Sequence, residues 1–110
     1  MNLNIDPAAL PTDATAVSAA IGPCDRRRST QRLLSGLEEV ISTLEGPGGT
    51  AAITARWRAA AATLGCDVAV ELPGERVEGT AVDIAETGAL VVETTDGRRR
   101  VTAGDCIHLR

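Results

Sequence analysis

From Asp67 to Arg110 the chain is interrupted by turn-forming residues so often that only short strands fit between them. The interruptions are Pro73-Gly74-Glu75, Glu86-Thr87-Gly88, Asp96-Gly97 and Ala103-Gly104-Asp105. Proline holds φ near the value an early turn position needs, and glycine takes positive φ without penalty, so each cluster reverses the chain readily. Before the first turn Val68, Val70 and Leu72 alternate with Asp67, Ala69 and Glu71, the period of a half-buried strand. The run from Arg76 to Ile84 changes phase, with Val77 on one side, Val82 and Ile84 on the other, and Gly79 between. Glycine at such a switch suits a bulge, a bend, or the close approach of another backbone.

The pattern continues to the end of the sequence. Leu90 and Val92 are the inward residues of the next strand, and Asp96-Gly97 predicts a type I′ hairpin turn, in which both central residues need positive φ. Val101 is the inward residue of the return strand, Arg98–Thr102. Ile107 and Leu109 share one face of a last strand, Cys106–Arg110. Five short strands, one of them bent, predict a small SH3-like β-barrel. A domain of that size is marginal by itself, so it needs something to lean on.

Upstream the periodicity turns helical, which makes the class α+β. Met1–Ile5 reads as the end of a strand, closed by Asp6-Pro7, and Pro7–Asp13 as a loop. Asp13 is placed to cap a helix over Ala14–Ala20, and Gly22-Pro23 stops it. Asp25 or Ser29 opens a longer helix, where Leu33, Leu34, Leu37, Val40, Ile41 and Leu44 form an apolar stripe suited to a core. Gly46-Pro47 ends that helix. Arg26-Arg27-Arg28 opposes the helix dipole at its start. Either the helix begins at Ser29 and the arginines are solvated, or they meet an anionic ligand. After a Gly48-Gly49 linker, Thr50 caps a helix over Ala51–Leu64 with Ile53, Trp57, Ala60 and Leu64 on one face, Trp57 acting as a packing anchor. These faces exceed what a tiny barrel can cover, so the chain reads as the closing segment of something larger.

A formal net charge of −4 and a pI near 4.9 argue against a nucleic-acid or anionic-membrane surface. No apolar run is long enough to span a bilayer, and no leader opens the chain. Three cysteines, Cys24, Cys66 and Cys106, lack any paired spacing, which predicts reduced thiols in a cytoplasmic protein and no metal site. All eleven basic residues are arginine, and Trp57 is the single aromatic. The aromatic groove of a proline-rich-peptide reader or the stacking platform of a single-strand binder is therefore missing. His108 points away from the barrel core and has no evident acid–base partner. Glu38, Glu39, Glu75, Glu78, Asp83 and Glu86 read as solvated charges. Arg98-Arg99-Arg100 either pairs across strands with Glu93 and neighbouring acids or contacts phosphate. From the residues alone, no catalytic centre is evident.

The order of features is nonetheless specific. LNID…LP-TDAT, a Leu-rich helix, a Trp-bearing helix ending TLG, then VAVELPG…GTAVDI…GALVVET-DGR…V-AGD-IHLR together resemble the C-terminal part of bacterial biotin protein ligases, over essentially the whole chain. The resemblance implies that residues 1–65 are the helical end of a class II synthetase-like catalytic domain and residues 66–110 the SH3-like C-terminal domain. It implies a parent enzyme that makes biotinyl-adenylate from biotin and ATP with Mg2+. That enzyme would then attach biotin to a lysine of the biotin carboxyl-carrier protein. Asn4 matches the asparagine closing the family's Gly-x-Gly-x-Asn strand beside the adenylate, although Asn2 stands where the second glycine belongs. Arg110 matches the arginine of the closing Gly-Asp/Glu…Leu-Arg motif, with Gly104-Asp105 before it, and is suited to phosphate. These two are the expected cofactor-binding residues. The family's Arg/Gly-rich adenylate loop and lysine-bearing segment are absent from this sequence. The expectation is therefore a chain inactive alone that works with the catalytic remainder of the ligase. The other reading is a stand-alone SH3-like interaction module without enzymatic activity.

Overall fold

A computed structural model describes residues 1–109; Arg110, expected at a nucleotide, lies outside the described residues. The chain forms two compact units, one over Met1–Ile41 and one starting at Ser42.

In the first unit the expected strand at Met1–Ile5 does not form. No ladder reaches this segment; instead the carbonyls of Asn2 and Leu3 accept from the amides of Val17 and Ser18, both at 2.8 Å. Those amides open α1 (Val17–Ile21) and would otherwise lack partners, so the segment caps a helix rather than joining a sheet. Asp13 does not cap α1, whose N-cap is Ala16. The expected loop after Asp6 holds a 3-10 turn, Pro7–Ala9, capped by the Asp6 carboxylate. α2 runs Arg26–Glu45, so it starts three residues before Ser29, and the three arginines lie in its first turn. Asp25 makes this possible: its carboxylate accepts from the Arg28 amide at 3.2 Å and its carbonyl from Ser29 at 2.9 Å. The apolar stripe of α2 is not in a core. Leu33, Leu34, Leu37, Ile41 and Leu44 are all exposed, Leu34 by 59%.

The second unit pairs α3 (Gly49–Ala60) with an antiparallel sheet. α3 begins at Gly49 behind Gly48 in the left-handed region, so Gly48-Gly49 is the helix start and not a linker, and Thr50 is not its cap. The strands are β1 (Asp67–Leu72), β2 (Glu75–Ile84), β3 (Leu90–Thr94), β4 (Gly97–Val101) and β5 (Asp105–His108), in the order β4-β3-β2-β1-β5. Among the described residues β4 and β5 are not paired, so the sheet is open and the expected closed barrel is not formed. Val68, Val70, Val77, Ala81, Val92 and Val101 build the core, with Cys66, Leu72 and Leu90 against it. Burying each valine contributes roughly 1.5–3 kcal/mol.

The phase switch in β2 is real, but it sits at Val82 rather than Gly79. Ala81 pairs with Val92 and Asp83 with Val91, leaving Val82 as the extra residue of a bulge. Val77, Ala81 and Ile84 are thereby buried, and Asp83 is turned outward. Gly79 serves the other role foreseen for it, close approach, because a Cβ there would strike the Glu93 carbonyl and the Val92 side chain. Two expectations nearer the end fail. The β3–β4 turn has no positive φ at Asp96, and only Gly97 (φ 115°) takes one, so the turn is not type I′. Ile107 is 48% exposed, because β5 is an edge strand paired only to β1.

Gly79→Ala is expected to destabilise the second unit by about 1–3 kcal/mol, since the β2–β3 ladder must shift to admit the methyl group. Urea unfolding would read this as a lower midpoint at unchanged slope; an unchanged midpoint would show the ladder to be looser than described.

Candidate functional site

Three places collect polar side chains, and each is built by a local feature of the fold. The first is a cleft of about 390 Å³ in the first unit, lined by Met1, Leu3, Asn4, Ile5 and Arg26. Asn4 does not reach freely into it. Its Nδ2 donates to the Cys24 carbonyl at 2.7 Å and its Oδ1 accepts from the Cys24 amide at 2.8 Å. Arg26 comes to the cleft because Asp25 starts α2 one residue earlier. Nothing in the sequence pattern singled out Cys24 as the partner of Asn4, since the bond spans twenty residues.

The second place is at the β2 bulge. Arg58, on α3, donates from Nε to Asp83 Oδ1 at 2.8 Å and to the Ile84 carbonyl at 2.9 Å. Asp83 Oδ1 also accepts from the Ile84 amide. Arg58, Asp83, Glu86, Thr87, Val91 and Arg100 line a second pocket of similar volume. On the same unit Trp57 is half exposed and borders an apolar pocket with Ile84, Leu90 and Cys106. Half of the ring stays open, so the expected packing anchor is only partly buried.

The third is the charged surface of the sheet. Arg99 makes two bonds to the Glu75 carboxylate, at 2.8 and 2.9 Å, and Arg98 pairs with Glu93 at 3.5 Å. The hydrogen bonds and charge of Arg99 hold the Glu75 carboxyl below its ordinary range, and Glu75 in turn raises the Arg99 guanidinium. Arg76, raised by its bond to Glu78, also binds Glu71. Cross-strand pairing therefore accounts for Arg98, while Arg99 reaches past the neighbouring strand to Glu75 on β2, and Glu71, Glu75 and Glu78 are paired acids, not free ones. Arg100 alone of the triplet has no ion-pair partner among the described residues. His108 has a partner after all: its Nε2 is 3.0 Å from Thr63 Oγ1. That contact joins β5 to the turn after α3, a structural tie rather than an acid–base pair. No three His, Cys, Asp or Glu side chains among the described residues converge in a manner that could hold a metal. No described helix is long and apolar enough to cross a membrane.

Residues 63–109 match the family described as Biotin protein ligase C terminal domain. The biotin--[acetyl-CoA-carboxylase] ligase of Mycobacterium tuberculosis is 35% identical over 112 aligned residues, covering 100% of this chain and 41% of that protein. Apo biotin protein ligase from Aquifex aeolicus matches the fold with a TM-score of 0.83 at 19% identity, over 100% of this chain and 50% of that one. The same ligase in complex with biotin and ATP matches at 0.81 and 19%, over 100% and 48%. The chain thus spans half or less of the length of these relatives.

Replacing Arg99 by alanine is expected to return the Glu75 carboxyl toward its ordinary pKa, followed by NMR titration of its side-chain carbon. A carboxyl depressed in the folded state adds stability in full above its unfolded pKa, and that stability is lost as pH falls through the folded value. The wild-type chain should therefore lose more stability on acidification than Arg99→Ala does. Equal losses would mean the pair is broken in solution.

Proposed function

We propose, from the match of residues 63–109 to the biotin protein ligase C-terminal domain, that this chain is the closing portion of an ATP-dependent ligase. The parent enzyme makes biotinyl-adenylate from biotin and ATP with Mg2+ and passes biotin to a lysine of a biotin carboxyl-carrier protein in the cytoplasm. The observation that carries this reading is the 35% identity, which runs through the helical part as well as the sheet. Residues 1–65 are taken as the end of the catalytic domain and 66–110 as the C-terminal domain.

Two physical features support a chain that works as part of a larger enzyme. The exposed stripe of α2, Leu33 to Leu44, is a continuous apolar surface of the kind that marks an interaction site, and the catalytic remainder of the ligase is its natural cover. An exposed stripe alone would equally suit a stand-alone interaction module; that alternative is not favoured because the 35% identity to a ligase runs over the whole chain. The chain also has no lysine, whereas the family's adenylation segment carries one, so activation of biotin falls to residues outside this sequence. ATP supplies the adenylyl group. The cleft at Asn4 and Arg26 offers one guanidinium beside an apolar wall, which suits a single anionic contact and not a whole triphosphate. Arg110 is proposed as a second contact. Magnesium would be held by phosphate oxygens and by groups elsewhere in the enzyme.

Grafting this chain in place of the corresponding C-terminal portion of the M. tuberculosis ligase tests the assignment. The chimera is expected to biotinylate the carrier protein; a folded, monodisperse chimera without activity would count against it. The chain alone, given biotin, ATP and magnesium, is expected to yield no biotinyl-adenylate by mass spectrometry. Product from the chain alone would overturn the division of labour.

A further inference from the structure

α2 carries its charge the wrong way round for a helix standing by itself. Its bases, Arg26, Arg27, Arg28 and Arg32, all fall in the first half, and its acids, Glu38, Glu39 and Glu45, in the second. No acid lies in the first turn and no base in the last. A helix is electropositive at its N-terminal end and electronegative at its C-terminal end, so both groups oppose the dipole of their own helix. The four arginines and Glu45 have no ion-pair partner among the described residues.

Between the charged ends, Leu34, Leu37, Ile41 and Leu44 recur at steps of three, four and three, with Leu33 beside them. That is the spacing of a coiled-coil seam. All five side chains are between 44% and 59% exposed.

The charges that are wrong for a lone helix are right for a neighbour running the other way. An antiparallel copy of α2, overlapping over the full helix, stacks Leu34 on Leu37 of the second copy and Ile41 on its Thr30. Leu44 then meets the methylene stem of the second copy's Arg27, and the guanidinium of that arginine comes beside Glu45. Each electropositive end also lies along an electronegative one. Parallel pairing would instead set arginine against arginine and glutamate against glutamate, and charges flanking a seam decide its orientation.

We propose that the 110-residue chain forms an antiparallel dimer through α2, the leucine seam supplying the contact and the segregated charges its direction. The inference does not depend on the ligase reading. On that reading the catalytic remainder would take the same face, so the dimer and the assembled ligase exclude one another.

The test is sedimentation equilibrium of the full chain over a wide range of concentration, which should give about twice the 11.4 kDa monomer mass at the upper end. Leu37→Asp, at a half-exposed position, should return the monomer without loss of helical signal. Arg27→Glu and Glu45→Arg should each weaken the dimer about fivefold, because one substitution breaks two exposed pairs in a symmetric dimer. Neither should lower monomer helicity, since each moves charge in the direction the dipole favours. The two reversals combined should restore the wild-type affinity to within about twofold. A monomer at every concentration, or a dimer indifferent to Leu37→Asp, would overturn the proposal. So would a single reversal that tightens the dimer, as parallel pairing requires, or a monomer that binds anionic phospholipid vesicles instead. A monomeric chain would leave the ligase reading standing, whereas an inactive chimera would sink that reading and spare the dimer.

Discussion

The second unit depends on one inserted residue. Val82 has no opposite number on β3, and that bulge moves β2 from one face to the other within four residues. Ala81 and Ile84 both point into protein because of it, and Asp83 between them is left to face α3. Arg58 can then bind the Asp83 carboxylate and the Ile84 carbonyl together. The strongest polar contact between α3 and the sheet is thus made where the strand departs from regularity. An unbulged β2 would turn either Ile84 or Asp83 the wrong way, since a shift of one residue exchanges the faces of a strand.

The contrast between the two apolar surfaces is informative. The small valine core of the sheet is closed, with no buried polar side-chain atom left unpaired among the described residues. The leucine stripe of α2 has no such cover. Exposure of one side chain means little, but five large ones at helical spacing form a surface that water does not favour. The relatives matched over the full length of the chain are twice as long or more.

The charged residues divide by the same logic of context. Arg76, Arg98 and Arg99 look alike in sequence to Arg100, but the fold gives the first three carboxylate partners, Arg76 and Arg98 through strand register and Arg99 through Glu75 on β2, and leaves Arg100 without an ion-pair partner among the described residues. Surface ion pairs of this kind add little stability each. Their effect is to neutralise charge on the surface of the sheet.

Local chemistry legible in the sequence determined most of the element list. The glycine and proline clusters mark each turn between strands within a residue or two, and the alternation of Val68, Val70, Val92 and Val101 identifies the core, because strand periodicity and turn preference are properties of near neighbours. The resemblance to biotin protein ligases was legible for the same reason, as an order of short motifs. Pairing between distant residues was not. The bulge, the Asn4–Cys24 bond and the Arg58 contact each join segments between eight and twenty-six positions apart, and no local preference encodes which of several suitable donors or acceptors will meet. Met1–Ile5 has the composition of a strand and Leu33–Leu44 that of a core helix. The first caps a helix and the second stays bare, because only the tertiary structure decides which partner a surface finds.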